Sequence, residues 1–178
     1  MQRSRTKATG LFLLAAAAAA LAATEQSAGG LRWTVPAAWT VQPARPMRAA
    51  TYAIPAATGA EAGECGVFFF GKGQGGTVSE NLDRWTAQFE NATAPSRGVQ
   101  DHGGLRVHTI ALSGTYLAPG GPMMQSQGKK PNWRLSGAIV EAPDGLVFFK
   151  CVGPISTIEK AQKDFERLLA SLSKAQSA

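Results

Sequence analysis

The chain has 178 residues, 44% hydrophobic and 17% charged, with 18 Lys and Arg against 12 Asp and Glu. Its supply of aliphatic and aromatic side chains excludes general disorder and suits one domain with a real core. The net charge of +6 is no sign of nucleic-acid binding: three bases precede Ala23 and all twelve acids follow it, so fifteen bases face twelve acids beyond that point, and no basic run is longer than Lys129-Lys130.

Leu11 to Ala23 (LFLLAAAAAALAA) is an unbroken apolar run behind Arg3, Arg5 and Lys7. It is shorter than the ~20 helical residues that span a bilayer, and Ala20-Leu21-Ala22 forms an A-x-A site. Residues 1–23 are therefore predicted to be a secretory signal, cleaved between 22 and 28. The expected product is periplasmic or secreted, soluble after cleavage, and tied to a membrane only if the signal stays uncleaved.

A single domain is predicted over 31–173, with 174–178 as a frayed tail. Leu31 to Val35 reads as a short strand stopped by Pro36, with Trp39 and Val41 extending it past a turn. Met47 to Ile54 is a second strand. Cys65 to Phe70 is apolar on both faces, as a central covered strand is. A glycine loop follows, and Thr77 with Glu80 forms a T-x-x-E capping box that starts a helix. Val78, Leu82, Trp85 and Phe89 line one face of that helix, and Pro95 and Gly98 break the chain after it.

Leu105 to Tyr116 alternates with period two. Ala118 to Pro131 is a long Gly- and Pro-rich loop. Asn132 to Ala142 and Leu146 to Val152 form a hairpin around Pro143-Asp144-Gly145. Ser156 and Glu159 offer a second capping box, and Ile158, Ala161, Phe165, Leu168, Leu169 and Leu172 give the last helix a core face. The predicted fold is α+β, a largely antiparallel sheet of about six strands sandwiched with two main helices.

Five pieces of sequence resemble a family of uncharacterised bacterial secreted proteins and lipoproteins. They are Trp33-x-x-Pro36-x-x-Trp39, Met47-Arg48 with Tyr52, FGKGQGG at 70–76, Asn81-x-x-Arg84-Trp85, and FFKCVGP at 148–154. That family is similar in layout to the PsbP-like group, which implies an antiparallel sheet between helices and mostly accessory, partner-binding roles. Lipoprotein relatives carry a cysteine at the signal junction. This chain has none there, which favours a soluble product.

The loop fits G-x-G-x-x-G through Gly71, Gly73 and Gly76. A dinucleotide site also needs a parallel βαβ unit and an acid at the end of the second strand, and neither is expected here. What remains is a candidate anion or partner site at the helix N-terminus, formed by Lys72, Gly73, Gln74, Gly75, Gly76 and Thr77 with Arg84. The alternative is a tight turn that lets the helix lie close on the sheet.

Cys65 and Cys151 fall on two predicted central strands in an oxidising compartment, which permits a disulfide worth ~4.6 kcal/mol by chain-entropy arithmetic. Two buried thiols are the alternative. His102 and His108 share a face if one strand holds both, but there is no third donor for a metal and no G-x-S-x-G elbow. Met123 and Met124, with Lys129 and Lys130, offer a partner contact or a soft-metal contact on the long loop; the alternative is a mobile surface loop. Trp33, Trp39 and Trp85 read as core residues, and Trp133 as a strand residue open to solvent.

No cofactor, metal or nucleic acid is expected. The leading expectation is a non-catalytic binding or accessory domain whose partner is an unknown protein or small ligand of the cell envelope. Two alternatives stand beside it: a small hydrolase-type enzyme using His102 or His108, and a small-ligand carrier.

Overall fold

The structure is a computed structural model that describes residues 24–118 and 128–175. The predicted signal segment, Met123 and Met124 lie outside the described residues.

In chain order the elements are β1 (Glu25–Ala28), β2 (Leu31–Thr34), β3 (Thr40–Val41), β4 (Ala50–Ile54), β5 (Gly63–Phe69), α1 (Val78–Thr86), β6 (Phe89–Glu90), β7 (Ser96–His102), β8 (Leu105–Leu117), β9 (Lys129–Ala142), β10 (Gly145–Pro154), α2 (Ile155–Lys160), α3 (Gln162–Ala170) and β11 (Ser173–Lys174). Eight strands make one sheet in the order β3-β4-β5-β10-β9-β8-β6, with β7 also paired to β8; β1, β2 and β11 make a second. Every pairing is antiparallel. The expected α+β class holds.

The strand count exceeds the expected six. The additional strands are short or polar, so they lack the apolar alternation that marks a strand in sequence. β7 (SRGVQDH) is solvent-facing along nearly its whole length and exists because its backbone pairs with β8. β3 pairs with β4 rather than extending β2. The expected domain limits also move. β1 pairs with β2, Lys174 pairs with Leu31, and the Ala175 amide donates to Gly30 O at 2.8 Å. The described structure thus begins before Leu31, and Lys174 and Ala175 of the expected tail are tied to Leu31 and Gly30.

The strong sheet positions alternate between two cores. Tyr52, Ile54, Cys65, Val67, Val107, Val140, Phe149 and Cys151 face the α2–α3 side, where they bury Leu31, Trp33, Ile158, Phe165 and Leu168. Ile110, Leu112, Leu135, Ile139 and Phe148 face the other side and meet Leu82 and Trp85 of α1. Trp33 closes the first core: its Nε1 donates to Tyr52 Oη at 2.8 Å and its ring meets Phe149 edge-on. Cys65 and Cys151 stand opposite each other on β5 and β10, with Cα atoms 3.9 Å apart, and form a disulfide.

α1 begins as its sequence predicts. Glu80 N donates to Thr77 Oγ1, and Thr77 N donates to Glu80 Oε2 at 2.8 Å. The second capping box does not form. Helix α2 starts directly from Pro154, with no side-chain cap, because β10 runs straight into it. The expected last helix is also broken at Ala161 into α2 and α3. Its apolar face nevertheless stays continuous, since Phe165 N donates to Ala161 O across the break.

Candidate functional site

α1 covers only part of its side of the sheet. It lies over β8, β9 and the near edge of β10, held by Trp85 and Leu82. Beyond it the same face of β5 and β10 carries Glu64, Gly66, Phe68, Phe148, Lys150 and Val152, because alternate residues of those strands point away from the disulfide. The result is a cavity of about 310 Å³ between α1 and the sheet. Its walls include Arg48, Phe70, Asn81, Arg84, Trp85, Gln88 and Tyr116. A second depression lined by Arg45, Lys130 and Trp133 shares Arg48, Glu64, Tyr116 and Val152 with it, so the two form one groove.

The groove floor is charged. Glu64 is held by two arginines: Arg48 Nη1 donates to Oε1 at 2.6 Å and Arg45 Nη1 to Oε2 at 2.8 Å. Lys150 has neutral partners instead. Its Nζ donates to Gln88 Oε1 and, at 3.4 Å, to Tyr116 Oη. Burial, then the nearby Arg48 guanidinium, push the Lys150 ammonium down to about 8, with Glu64 pulling the other way. Burial, then Glu64, push the Tyr116 phenol up to about 12.

The walls are aromatic. Phe68 and Phe70 stack with ring centres 6.3 Å apart, Phe148 meets Phe70 at 5.8 Å and Trp85 edge-on at 6.5 Å. Arg48 lies over Phe68, and farther along the groove Lys130 lies over Trp133, which stacks flat on Tyr116. Phe70 is a large apolar side chain left 40% exposed, at the groove margin.

Of the residues the sequence nominated, Arg84 reaches this groove, where Asn81 Oδ1 accepts from its Nη1 at 3.2 Å. Lys72, Gly73, Gln74, Gly75, Gly76 and Thr77 form the loop at the α1 N-terminus and line none of it. Gly71, Gly73, Gly75 and Gly76 all take positive φ. The Asn81 side chain ties the loop to the helix by donating to Gly75 O and Thr77 O. The Glu80 carboxylate already sits on the Thr77 amide and hydroxyl, and those hydrogen bonds hold its carboxyl below the usual range. An anion placed over these amides would meet that carboxylate.

The histidines do not share a strand face, because Gly103 and Gly104 turn the chain between them. His102 ends β7 and its Nε2 contacts Gln100 Oε1 at 3.0 Å; His108 lies on β8 and its Nε2 contacts Glu141 Oε1 at 2.7 Å. His102 borders a polar cavity under α3 with Ser96, Ser136 and Glu166. Lys129 pairs with Glu90 and Lys130 with Glu61. Trp133 is partly covered by Tyr116, not open as expected. Among the described residues no group of three or more His, Cys, Asp or Glu is placed to hold a metal.

Sequence reasoning nominated neither Glu64, Gln88, Tyr116 nor Lys150. A signal for some groove residues was nonetheless present: Arg48, Phe70, Arg84, Trp85, Phe148 and Lys150 all come from the pieces that carried the family resemblance, and all line the one cavity.

No protein-family model matches the chain, and no curated protein is significantly similar to it. Solved structures are. The solution structure of cyanobacterial PsbP (CyanoP) from Synechocystis sp. PCC 6803 superposes with a TM-score of 0.54 at 10% identity, covering 91% of this chain and 98% of that one. The crystal structure of PA94 from Pseudomonas aeruginosa, a protein of unknown function and putative regulator, superposes with a TM-score of 0.52 at 10% identity, covering 87% and 99%. At this identity the likeness is one of architecture, and the chain has a PsbP-like α+β fold.

Proposed function

We propose that this protein is a non-catalytic binding domain of the bacterial cell envelope, acting through the groove between α1 and the sheet. The observation that carries the reading is Lys150: a partly buried cation with neutral hydrogen-bond partners, on the floor of an aromatic-walled cavity. Concave sites with apolar walls and a few convergent polar groups are the usual form of a ligand site. The address rests on the apolar N-terminal segment, and the described residues contain no helix long and apolar enough to cross a membrane.

The hydrolase reading is weaker. A catalytic histidine needs a nucleophile or carboxylate in reach and a cavity around it. His108 has Glu141 but lies outside the cavities described above. His102 borders a cavity, but its contact is the Gln100 amide.

The test is capture from the native envelope followed by mass spectrometry, with wild-type protein compared against a groove plugged by Val152→Trp. A protein or small molecule retained by the wild type and lost by the plugged variant supports the reading. Capture indifferent to the plug overturns it. Turnover of an ester or amide abolished by His102→Ala or His108→Ala would favour the enzyme instead.

A further inference from the structure

We infer that the groove takes a small organic carboxylate with an aromatic or apolar body, its charge held between Lys150 and Arg84 and its body against Phe68, Phe148 and Trp85. This deepens the groove reading and rests on it.

The charge inventory points to an anion. Arg48, Arg84 and Lys150 face the cavity, and Glu64 is the one carboxylate among its lining residues. Glu64 is already shared by Arg45 and Arg48 at 2.8 and 2.6 Å, so its lone pairs are largely committed. Lys150 donates to the Gln88 amide oxygen and the Tyr116 hydroxyl, neither of which neutralises it. A partly buried ammonium whose nearest carboxylate, Glu64, is committed to two arginines is left short of negative charge. A ligand carboxylate supplies the missing charge and two acceptor oxygens.

The walls point to the body. Rings from β5, β10 and α1 converge on a space of about 310 Å³, the lower end of the usual range of roughly 300–1,000 Å³ for small-molecule sites. Aromatic faces there add stacking that a bare inorganic ion cannot use. Arg84 stands exposed at the rim, with one guanidinium nitrogen fixed by Asn81, so it guards the entrance rather than the floor. The helix N-terminus next door is not a competing anion site, because Glu80 occupies it.

The geometry also sets a pH dependence. The charged and titratable groups around Lys150 are Glu64 from β5, Arg48 from the segment before β4, Tyr116 from β8 and Arg84 from α1. Burial, then Arg48, push the Lys150 ammonium down to about 8. Carboxylate affinity therefore falls as pH rises past about 8.

The experiment is titration calorimetry on the purified full chain with three matched probes: 3-phenylpropionate, 3-phenylpropanol and 3-phenylpropylamine. The carboxylate alone should bind at pH 6.5, and roughly tenfold more weakly at pH 9.5. Lys150→Met should weaken it about tenfold or more and remove the pH dependence. Arg84→Gln, at an exposed position, should weaken it severalfold without moving the unfolding midpoint. Equal binding of all three probes, binding of none, or carboxylate binding that survives both Lys150→Met and Val152→Trp overturns the inference. If none binds while envelope capture still depends on an open groove, the carboxylate inference falls and the groove reading stands.

Discussion

The Trp85 ring lies directly on Gly137 of β9, so close that a Cβ built there would come within 2.5 Å of it. α1 is short, and this contact, with Leu82 beside it, seats the helix at the depth that leaves the groove open beyond it. Gly137→Ala is expected to destabilise the fold by about 1–3 kcal/mol through overpacking, and Trp85→Ala by about 3–5 kcal/mol through cavity formation. The double variant should lose less than the sum, since the alanine then fills space the indole vacated. Urea unfolding of the three variants measures this, and strict additivity would disprove the contact.

The disulfide between Cys65 and Cys151 should be present in protein recovered from an oxidising compartment. Thiol labelling after denaturation without reductant is expected to find no free thiol. Replacing both cysteines with alanine should cost about 2–5 kcal/mol, read as a lower unfolding midpoint.

Lys150 should work against stability at neutral pH. It titrates near 10.5 in an unfolded chain and near 8 in the fold. Between those values the unfolded chain holds more protons, so this residue's contribution to stability rises with pH across that window. Lys150→Met is therefore expected to stabilise the protein at pH 7 by about 1–3 kcal/mol. The gain should shrink above pH 8 and be gone near pH 10.5. Tyr52 and Tyr116 act the opposite way. Raised from 10.0 to about 12, their contribution is intact below pH 10 and lost as pH climbs through 12. Unfolding midpoints of wild type and variant at pH 7, 9 and 10 separate the two effects. A gain that is constant with pH would refute the burial of a charged Lys150.

Thr77→Ala removes the hydroxyl half of the α1 cap and should cost about 1 kcal/mol. The carboxyl half is pH-dependent: Glu80, held below its usual range, contributes stability present above that range and lost as pH falls through its lowered value. The acid limb of the stability curve should be shallower in Glu80→Gln than in wild type.

The capping box, the Asp144-Gly145 hairpin and most of the α1 stripe were legible because periodicity and turn chemistry are local signals; Phe89, expected on the stripe, instead falls in β6 because the helix ends at Thr86. β7 was not, because a solvent-facing edge strand is specified by its partner's backbone, not by its own side chains. The break at Ala161 was hidden for the reverse reason: the apolar spacing of the last helix continues across it. The groove was the least legible feature. Arg48, Glu64, Arg84, Tyr116 and Lys150 come from five separate segments, and what joins them is sheet order. Lys150 in particular sits inside FFKCVGP, where the flanking apolar residues read as a covered strand and give no sign of which face is open. The histidines and the glycine loop, the conspicuous chemical types in the sequence, lie outside the groove.

The disulfide joins β5 and β10 at the residues directly after Glu64 and Lys150. Each strand thus presents a sulfur to one side of the sheet and a charge to the other, one position apart. A slip of either strand by a single residue would swap those faces, sending the charges into the core and the sulfurs into the groove. The covalent bond forbids that slip. It works as a register pin, so its oxidation would set the alignment of the groove's charges as well as the strength of the fold.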